Sequence, residues 1–452
     1  MTLKLKGKKI AVVGLGRSGL AAAKFLAAQK AGVRVTEASD KKGALRNAAL
    51  LKGLGVRVET GGHTGKFLLG SELVVTSPGV PKTSLPLVFA KKKKIPVMSE
   101  VDLASLFCEG PIVAVTGSNG KTTTSHLLHR FFVEAGQKSV LCGNVGFSFL
   151  DALASIGAKT RVVLETSSFQ LEDSPHLKPR AAVVLNVMPN HLDRHGTFQN
   201  YVRAKEKIFA NQKPGDVLIL NFADPAVRRM AKRARSRVIF FSRHPIPAGF
   251  CVEDGWIVKK DARHARRFFQ KEDFPLKGDH NLENILAAVA AADVFGVSPA
   301  QLQKTLRAFR ALEHRIEPVG EIGGVRFVND SKSTTVGSTR AAILATDGPI
   351  VLVAGGRDKG ADFGSIEDVI EDKVKEAVLY GEAAGKIAGS WRSFRRFHIQ
   401  KDFSAAARLA YRLAGPGDAL LLSPMCASFD QFHSFEHRGE TFKKIFAELA
   451  VS

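Results

Sequence analysis

The chain is poor in cysteine, in acidic residues and in long apolar runs. Its four cysteines, Cys108, Cys142, Cys251 and Cys426, lie far apart with no C-x-x-C spacing. That pattern argues against a disulfide framework or a zinc ribbon and fits a reducing cytoplasm. No stretch reaches the roughly 18 consecutive apolar residues that a membrane-spanning helix needs. The basic start runs into an apolar stretch broken by Gly14, Gly16 and Arg17, so it reads as a first strand and not as a signal peptide. No internal repeat with a period of about 20 to 50 residues is visible. Acidic residues number 43 against 66 Lys plus Arg, a formal net charge of +23, which raises nucleic acid, a membrane surface or anionic small molecules as partners. The excess sits in short separate clusters at residues 91–94, 232–237 and 263–267. They lack interleaved aromatics and any helix-turn-helix, RRM or KH signature, so a solvated basic surface with anion-attracting clefts is expected, without specific nucleic-acid binding.

What is present is 452 residues, 45% of them hydrophobic, enough for about three domains of roughly 150 residues each. The pattern is α/β throughout, with boundaries expected at 1–100, 101–311 and 312–452. Breaker chemistry at Cys108, Glu109, Gly110 and Pro111 marks the first junction. Strands are expected at 9–13, 33–37, 73–76, 96–98, 112–115, 161–166, 181–187, 350–354, 377–379 and 419–422, with helices at 20–28, 125–133, 201–209 and 281–295. A more polar, less regular stretch lies between 187 and 281.

The apolar run 112–115 leads into Thr116, Gly117, Ser118, Asn119, Gly120, Lys121, Thr122 and Thr123, then into helix. Strand, glycine loop and helix in that order form a phosphate cradle. Backbone N–H groups converge on the anion, Lys121 reaches the terminal phosphates and Thr122 can ligate Mg²⁺. Val115 stands where the first glycine of the eight-position P-loop pattern would be, so the loop is a shortened variant. A bound nucleoside triphosphate is expected; a mere capping turn is the bland alternative.

A second glycine turn, Gly14-Leu15-Gly16-Arg17-Ser18-Gly19, follows the first strand, opens a helix and has Glu37 eighteen residues beyond Gly19. This is a weak signal on its own. It suits NAD or FAD, another diphosphate-bearing ligand, or a tight structural turn. Glu165 ends the apolar strand 161–164, and His191 follows the strand 181–187. Open α/β sheets place ligands at strand C-terminal ends, and hard Mg²⁺ takes oxygen donors, so the pair reads as a metal-nucleotide rim. The bland reading makes each a structural or solvated group.

The chain resembles the Mur ligase family over essentially its whole length. The resemblance is carried by GLGRSG at 14–19, SPG at 77–79, TGSNGKTT at 116–123, GNVG at 143–146 and ETSSFQLE at 165–172. It continues with NHLDRHG at 190–196, Tyr201 with Ala204-Lys205, GDHNLEN at 278–284, EHRIE at 313–317, NDSKST at 329–334, GGRDKGADF at 355–363, SPMCASFDQF at 423–432 and FEHRG at 435–439. SSFQLE with CASFDQF points, within the family, to addition of D-glutamate.

The resemblance implies a Rossmann-like N-terminal domain that binds the UDP part of a substrate, a central P-loop ATPase-like domain, and a Rossmann-like C-terminal domain that brings the amino acid. It implies an ATP- and Mg²⁺-dependent amide ligase that joins D-Glu to UDP-MurNAc-L-Ala through an acyl phosphate, in cytoplasmic peptidoglycan precursor synthesis, and hence in cell-wall biogenesis, cell shape and division. A monomer is implied. Lys121, Thr122, Glu165, His191 and a carbamylated Lys205 would serve phosphates and metal, and Lys332 the reacting groups. Asn281, Asn284, Arg315 and Asp330 would lie around the nucleotide. Gly16, Arg17, Ser18, Glu37, Ser77, Gly79 and Asn144 would face the UDP-substrate, and Thr334, Lys359, Ser428 and Phe435 the glutamate. Two departures stand out: Asn190 replaces an acid common before the His, and Glu37-Ala38-Ser39 replaces Asp-Thr-Arg at the uracil position. Competing readings are a folylpolyglutamate synthase-like ligase, which lacks the UDP-binding domain, and an NAD-sensing or nucleic-acid-binding ATPase.

Overall fold

Three open sheets carry the chain, and each puts its chemistry on the same kind of rim. The computed structural model describes residues 3–261, 263–275, 278–310 and 312–451, apart from the side chains of residues 66 and 193. The first sheet contains β1 (Lys9–Val13), β2 (Gly32–Glu37), β3 (Arg57–Thr60), β4 (Leu73–Thr76) and β5 (Val97–Ser99), all parallel in the order β3-β2-β1-β4-β5. Ile10, Val12 and Val35 are buried on one side of it and Ala11, Val13 and Val74 on the other. Continuous apolar strands of this kind suit a parallel sheet covered on both faces.

The second sheet has nine strands: β6 (Ile112–Thr116), β7 (Ser139–Gly143), β8 (Arg161–Glu165), β9 (Ala181–Val184), β10 (Val217–Asn221), β11 (Arg237–Ser242), β12 (Gly249–Glu253), β13 (Trp256–Lys260) and β14 (Ala265–Gln270). Their order is β14-β13-β12-β11-β10-β9-β6-β8-β7. It is parallel from β7 to β12 and antiparallel through β13 and β14. The third sheet, β15 (Glu317–Ile322), β16 (Val325–Asn329), β17 (Ile350–Gly355), β18 (Val374–Tyr380), β19 (Phe397–Gln400) and β20 (Ala419–Met425), runs β15-β16-β20-β17-β18-β19 and is parallel except for the β15–β16 hairpin.

The chain divides into two compact units. One holds Met1–Asp273 with Glu283–Arg307, and the other Phe274–Leu282 with Ala308–Ser452. The first two sheets belong to the first unit and the third sheet to the second.

Two expectations differ from the structure. The strand expected to reach 187 stops at Val184, because the chain beyond wraps the phosphate loop: the Leu185 amide donates to Thr116 O and the Ser118 amide to Asn186 O. The stretch expected to be irregular holds β10 to β14. In β14, Ala265, Arg266 and Arg267 are all exposed, so its hydrophobic alternation is too weak to read.

Candidate active site

The phosphate loop joins β6 to the helix Lys121–Glu134. Gly120 caps that helix with φ +81°, and a Cβ there would lie 2.0 Å from Asn284 Oδ1. Only glycine lets the loop seat against Asn284. The same Oδ1 accepts from Thr124 Oγ1 at 3.4 Å. Asn186, which the sequence reading passed over, clasps Asn119: its Oδ1 accepts from the Asn119 amide at 2.9 Å, and its amide group donates to Asn119 O at 3.3 Å. Its place just past β9, on the ligand rim, was the signal available. Lys121 Nζ donates to Gly117 O and Ser118 O at 2.9 and 3.0 Å. Ser118 Oγ contacts Met188 O and the Tyr201 hydroxyl at 3.1 and 3.0 Å. Thr122 and Thr123 occupy the first turn of the helix.

Glu165 ends β8 and is only 1% exposed. Its Oε1 accepts from Asn144 Nδ2 at 2.6 Å, while its Oε2 has no hydrogen-bond partner among the described residues. A buried carboxylate oxygen without a partner costs free energy unless a cation or donor completes it. Lys205, on the helix Phe198–Glu206, is equally buried. Its Nζ donates to Gly117 O at 2.8 Å and lies 4.6 Å from the Tyr201 ring centre. Burial, with the Lys121 ammonium adding to it, holds the Lys205 amine well below the ordinary lysine range. That environment shifts the group toward its neutral form. His191 adopts φ +54° just before the turn Leu192–His195, with its ring 4.8 Å from Phe169. Phe169 in turn stacks on His195 at 5.5 Å, and His195 lies 5.1 Å from Tyr201. These rings pack in a column from His191 to the Lys205 side. His195 Nε2 is 3.0 Å from Ser168 Oγ and its Nδ1 is 3.2 Å from Glu172 Oε1. Burial lowers its pKa, and Glu172 opposes the shift. His195, Ser168 and Glu172 lie in the motifs NHLDRHG and ETSSFQLE, but the sequence reading gave them no role.

At the first turn, Gly16 precedes the helix Arg17–Ala28 without any side-chain cap. The early amides of that helix, Ser18 among them, form an anion-favouring end. Glu37 caps the turn from the next strand: Oε2 accepts from the Leu15 amide at 2.6 Å and Oε1 from the Ser39 amide at 2.8 Å. Ser77 Oγ is buried and unpartnered, packed beside Gly14 and Gly19; Gly79 follows in the same turn. The Arg17 guanidinium donates to Gly146 O, Gly143 O and Asn144 O.

The second unit has its own rim. Asp330 follows β16, fully enclosed, with Oδ2 accepting from Ser423 Oγ at 2.8 Å and Oδ1 from the Ile316 amide at 3.2 Å. Burial pushes its pKa up to about 7, against the hydrogen bonds and Arg315. His280, beside Asn281, is held near 4 by burial and by Arg315. Lys332 Nζ lies 3.6 Å from the Phe435 ring centre. Thr334, Lys359, Ser428 and Phe435 follow β16, β17 and β20. Arg438, which the sequence reading carried in FEHRG without a role, is fully buried and donates to Ser331 Oγ, Ser331 O, Cys426 O and the Tyr380 hydroxyl.

Three domain descriptions match in order: Mur ligase MurD-like N-terminal domain over residues 8–99, Mur ligase middle domain over 115–292, and Mur ligase glutamate ligase domain over 314–426. A relative from Pelotomaculum thermopropionicum is 43% identical over 445 residues, covering 98% of each chain. The chain belongs to the Mur ligase family. Another member, from Acidobacterium capsulatum, is 44% identical over 98% of this chain and 97% of its own. Both relatives are called UDP-N-acetylmuramoylalanine--D-glutamate ligase. Among solved structures, the fold is shared with MurC of Thermotoga maritima, TM-score 0.60 at 17% identity, covering 97% of this chain and 99% of that one. It is shared also with MurF of the same organism in complex with ADP, TM-score 0.60 at 17% identity, covering 99% and 100%. Among the described residues no helix is long and apolar enough to cross a membrane.

Proposed function

We propose that this Mur ligase joins D-glutamate to the carboxylate of UDP-N-acetylmuramoyl-L-alanine, with ATP converted to ADP and phosphate. The observation that carries the chemistry is the rim where the phosphate loop, the half-satisfied carboxylate of Glu165 and the buried amine of Lys205 converge. The substrate pair rests on the shared name of near-full-length relatives.

A carboxylate resists an amine until one oxygen becomes a phosphate leaving group. In this reading the loop amides, Lys121 and the helix N-terminus grip the triphosphate and leave its terminal phosphorus open to the substrate carboxylate. The amine of glutamate then attacks the acyl carbon and phosphate departs. Mg²⁺ would be held by Thr122, Glu165, His191 and Lys205 as its carbamate, and when bound supplies charge neutralisation between the two anions. The unpartnered Glu165 Oε2 and the oxygen-rich donor set fit that ion. Lys205 reaches the carbamate when the lone pair of its neutral amine adds to the carbon of CO₂ and an N–H proton leaves to solvent. The resulting anion suits a hard cation where an ammonium would repel it.

Asn281, Asn284, Arg315 and Asp330 serve the nucleotide. Lys332 acts near the reacting groups, and Thr334, Lys359, Ser428 and Phe435 hold the glutamate, with Lys359 pairing a carboxylate. The turn at 14–19, Ser77, Gly79 and Asn144 receive the UDP-sugar. Glu37 spends both carboxylate oxygens on backbone amides, which supports a diphosphate over a dinucleotide whose ribose would need that acid. Calorimetric titration tests this: UDP-MurNAc-L-Ala binds and NAD does not. Micromolar NAD binding would overturn the reading. A panel of D-Glu, L-Glu and L-Lys in an ADP-release assay tests the acceptor, with turnover expected for D-Glu alone.

A further inference from the structure

The segment that holds Glu165 is itself held from the neighbouring domain. Gly143 has φ +98°, and a Cβ there would lie 2.4 Å from Glu165 O; one on Gly146, φ +70°, would lie 2.6 Å from Leu141 O. The turn is therefore restricted to glycine at both ends and has little side chain with which to fix itself. Asn144 lies between them and binds Glu165 twice, its amide N–H donating to Glu165 O at 2.9 Å and its Nδ2 to Oε1 at 2.6 Å. Three carbonyls of this turn accept from one guanidinium, that of Arg17: Gly146 O at 2.9 Å, Gly143 O at 2.9 Å and Asn144 O at 3.2 Å. Just beyond the turn, the Leu150 amide donates to Glu100 Oε1 at 2.7 Å. Glu100 and Arg17 both come from the first 100 residues, so a cation holds the carbonyls and a carboxylate holds an amide of the same segment.

We infer that Arg17 is a positioning residue for the metal-binding carboxylate: by capping the 143–146 turn it fixes Asn144, which fixes the rotamer of Glu165 and leaves Oε2 for the cation. This rests on the metal-nucleotide reading above and adds a consequence to it. The helix that begins at Arg17 is the one whose N-terminus meets the UDP-sugar in that reading, so substrate seated on the first domain and metal seated on the second share one side chain. Sequence alone places Arg17 with the substrate, whereas its contacts place it with the metal. A planar fork of donors can serve three carbonyls where an ammonium cannot do so in the same geometry.

The test is Mn²⁺ binding, followed by electron paramagnetic resonance, to the full-length protein carrying a non-hydrolysable ATP analogue, with neither UDP-substrate nor glutamate present. Arg17→Met, which keeps the aliphatic stem, is expected to weaken Mn²⁺ about tenfold, within the range seen when groups behind metal ligands are removed. Affinity for the metal-free nucleotide should change less than about twofold, a split that mere docking of two domains would not produce. Arg17→Lys should recover part of the loss and covers the case in which the Met variant folds poorly. In an Asn144→Ala background, Arg17→Met should have little further effect, because both act through one path. Unchanged Mn²⁺ affinity in both Arg17 variants, or fully additive losses with Asn144→Ala, overturns the inference while leaving the ligase reading intact. Failure of the wild-type protein to bind Mn²⁺ with nucleotide overturns the metal-nucleotide reading itself.

Discussion

The two rims are built on the same plan and finished differently. Around the phosphate loop, a buried carboxylate oxygen and a buried lysine amine have no oppositely charged group bonded to them among the described residues: Glu165 Oε2 is unpartnered there, and Lys205 Nζ meets a carbonyl, a hydroxyl and a ring. In the second unit, the equally buried Asp330 and Arg438 are hydrogen-bonded within the protein, the arginine by four contacts. Buried polar groups that the protein leaves partly unsatisfied are those whose complement comes from outside. Those it satisfies hold the scaffold. On this comparison Glu165 and Lys205 are groups left for a ligand to complete, and Arg438 frames the loops that carry Lys359 and Ser428.

The largest effect should come from the loop rim and should be one of function without folding. Lys205→Met or Glu165→Gln is expected to lower ligase turnover about 1,000-fold, the upper range for losing one preorganised electrostatic group. The thermal midpoint should be unchanged or higher, since each change removes an expensive buried group. A short carboxylate added to a Lys205→Ala protein should restore part of the activity by replacing the carbamate. Near wild-type turnover in Lys205→Met would break the comparison.

The next effect inverts that result. Arg438→Met strips four acceptors and hydroxyls of their donor and is expected to destabilise the second unit by about 3 kcal/mol, as when buried charged networks lose a member. Nucleotide affinity at the phosphate loop should be preserved. Denaturant titration measures the first and calorimetry the second; a stable Arg438→Met protein would remove the distinction between frame and rim.

Much of this was legible in the residues. The strands 9–13 and 73–76 are where the apolar runs put them, because parallel strands buried on both faces read as continuous apolar segments. The glycine loop and Glu165 could be found because their residue types are chemically uncommon in those places, whereas Lys205 came only from the family resemblance. Asn186 was passed over, and His195 and Arg438 stood in quoted motifs without a role, since their roles lie in contacts with residues distant in sequence. Strand β14 was hidden for a different reason: Ala265, Arg266 and Arg267 are exposed in succession, which breaks the period-two alternation. Two of the basic clusters are accommodated locally. Residues 91–94 sit at the C-terminal end of the helix Leu85–Lys92, where cations are favoured, and Arg233 pairs with Glu206.

A further effect is a pH dependence. Asp330 has its pKa raised to about 7 in the folded state, against about 3.9 in an unfolded chain. Between these values the folded state binds the extra proton, so this group lowers stability progressively as pH rises from about 4 to about 7. Asp330→Asn removes that titration. The stability of the variant relative to the wild type should therefore climb across this window and level off above it, as read by denaturant midpoints at successive pH values. A flat difference would mean that Asp330 is ionised throughout.

The central claim, that the loop rim and the UDP- and glutamate-binding loops act as one ligase, is tested most directly by phosphate release with single omissions. With ATP, Mg²⁺, UDP-MurNAc-L-Ala and D-Glu together, phosphate should appear in step with the amide product, and leaving out any one should abolish steady release. Sustained release at a comparable rate without UDP-MurNAc-L-Ala or without D-Glu would contradict the account.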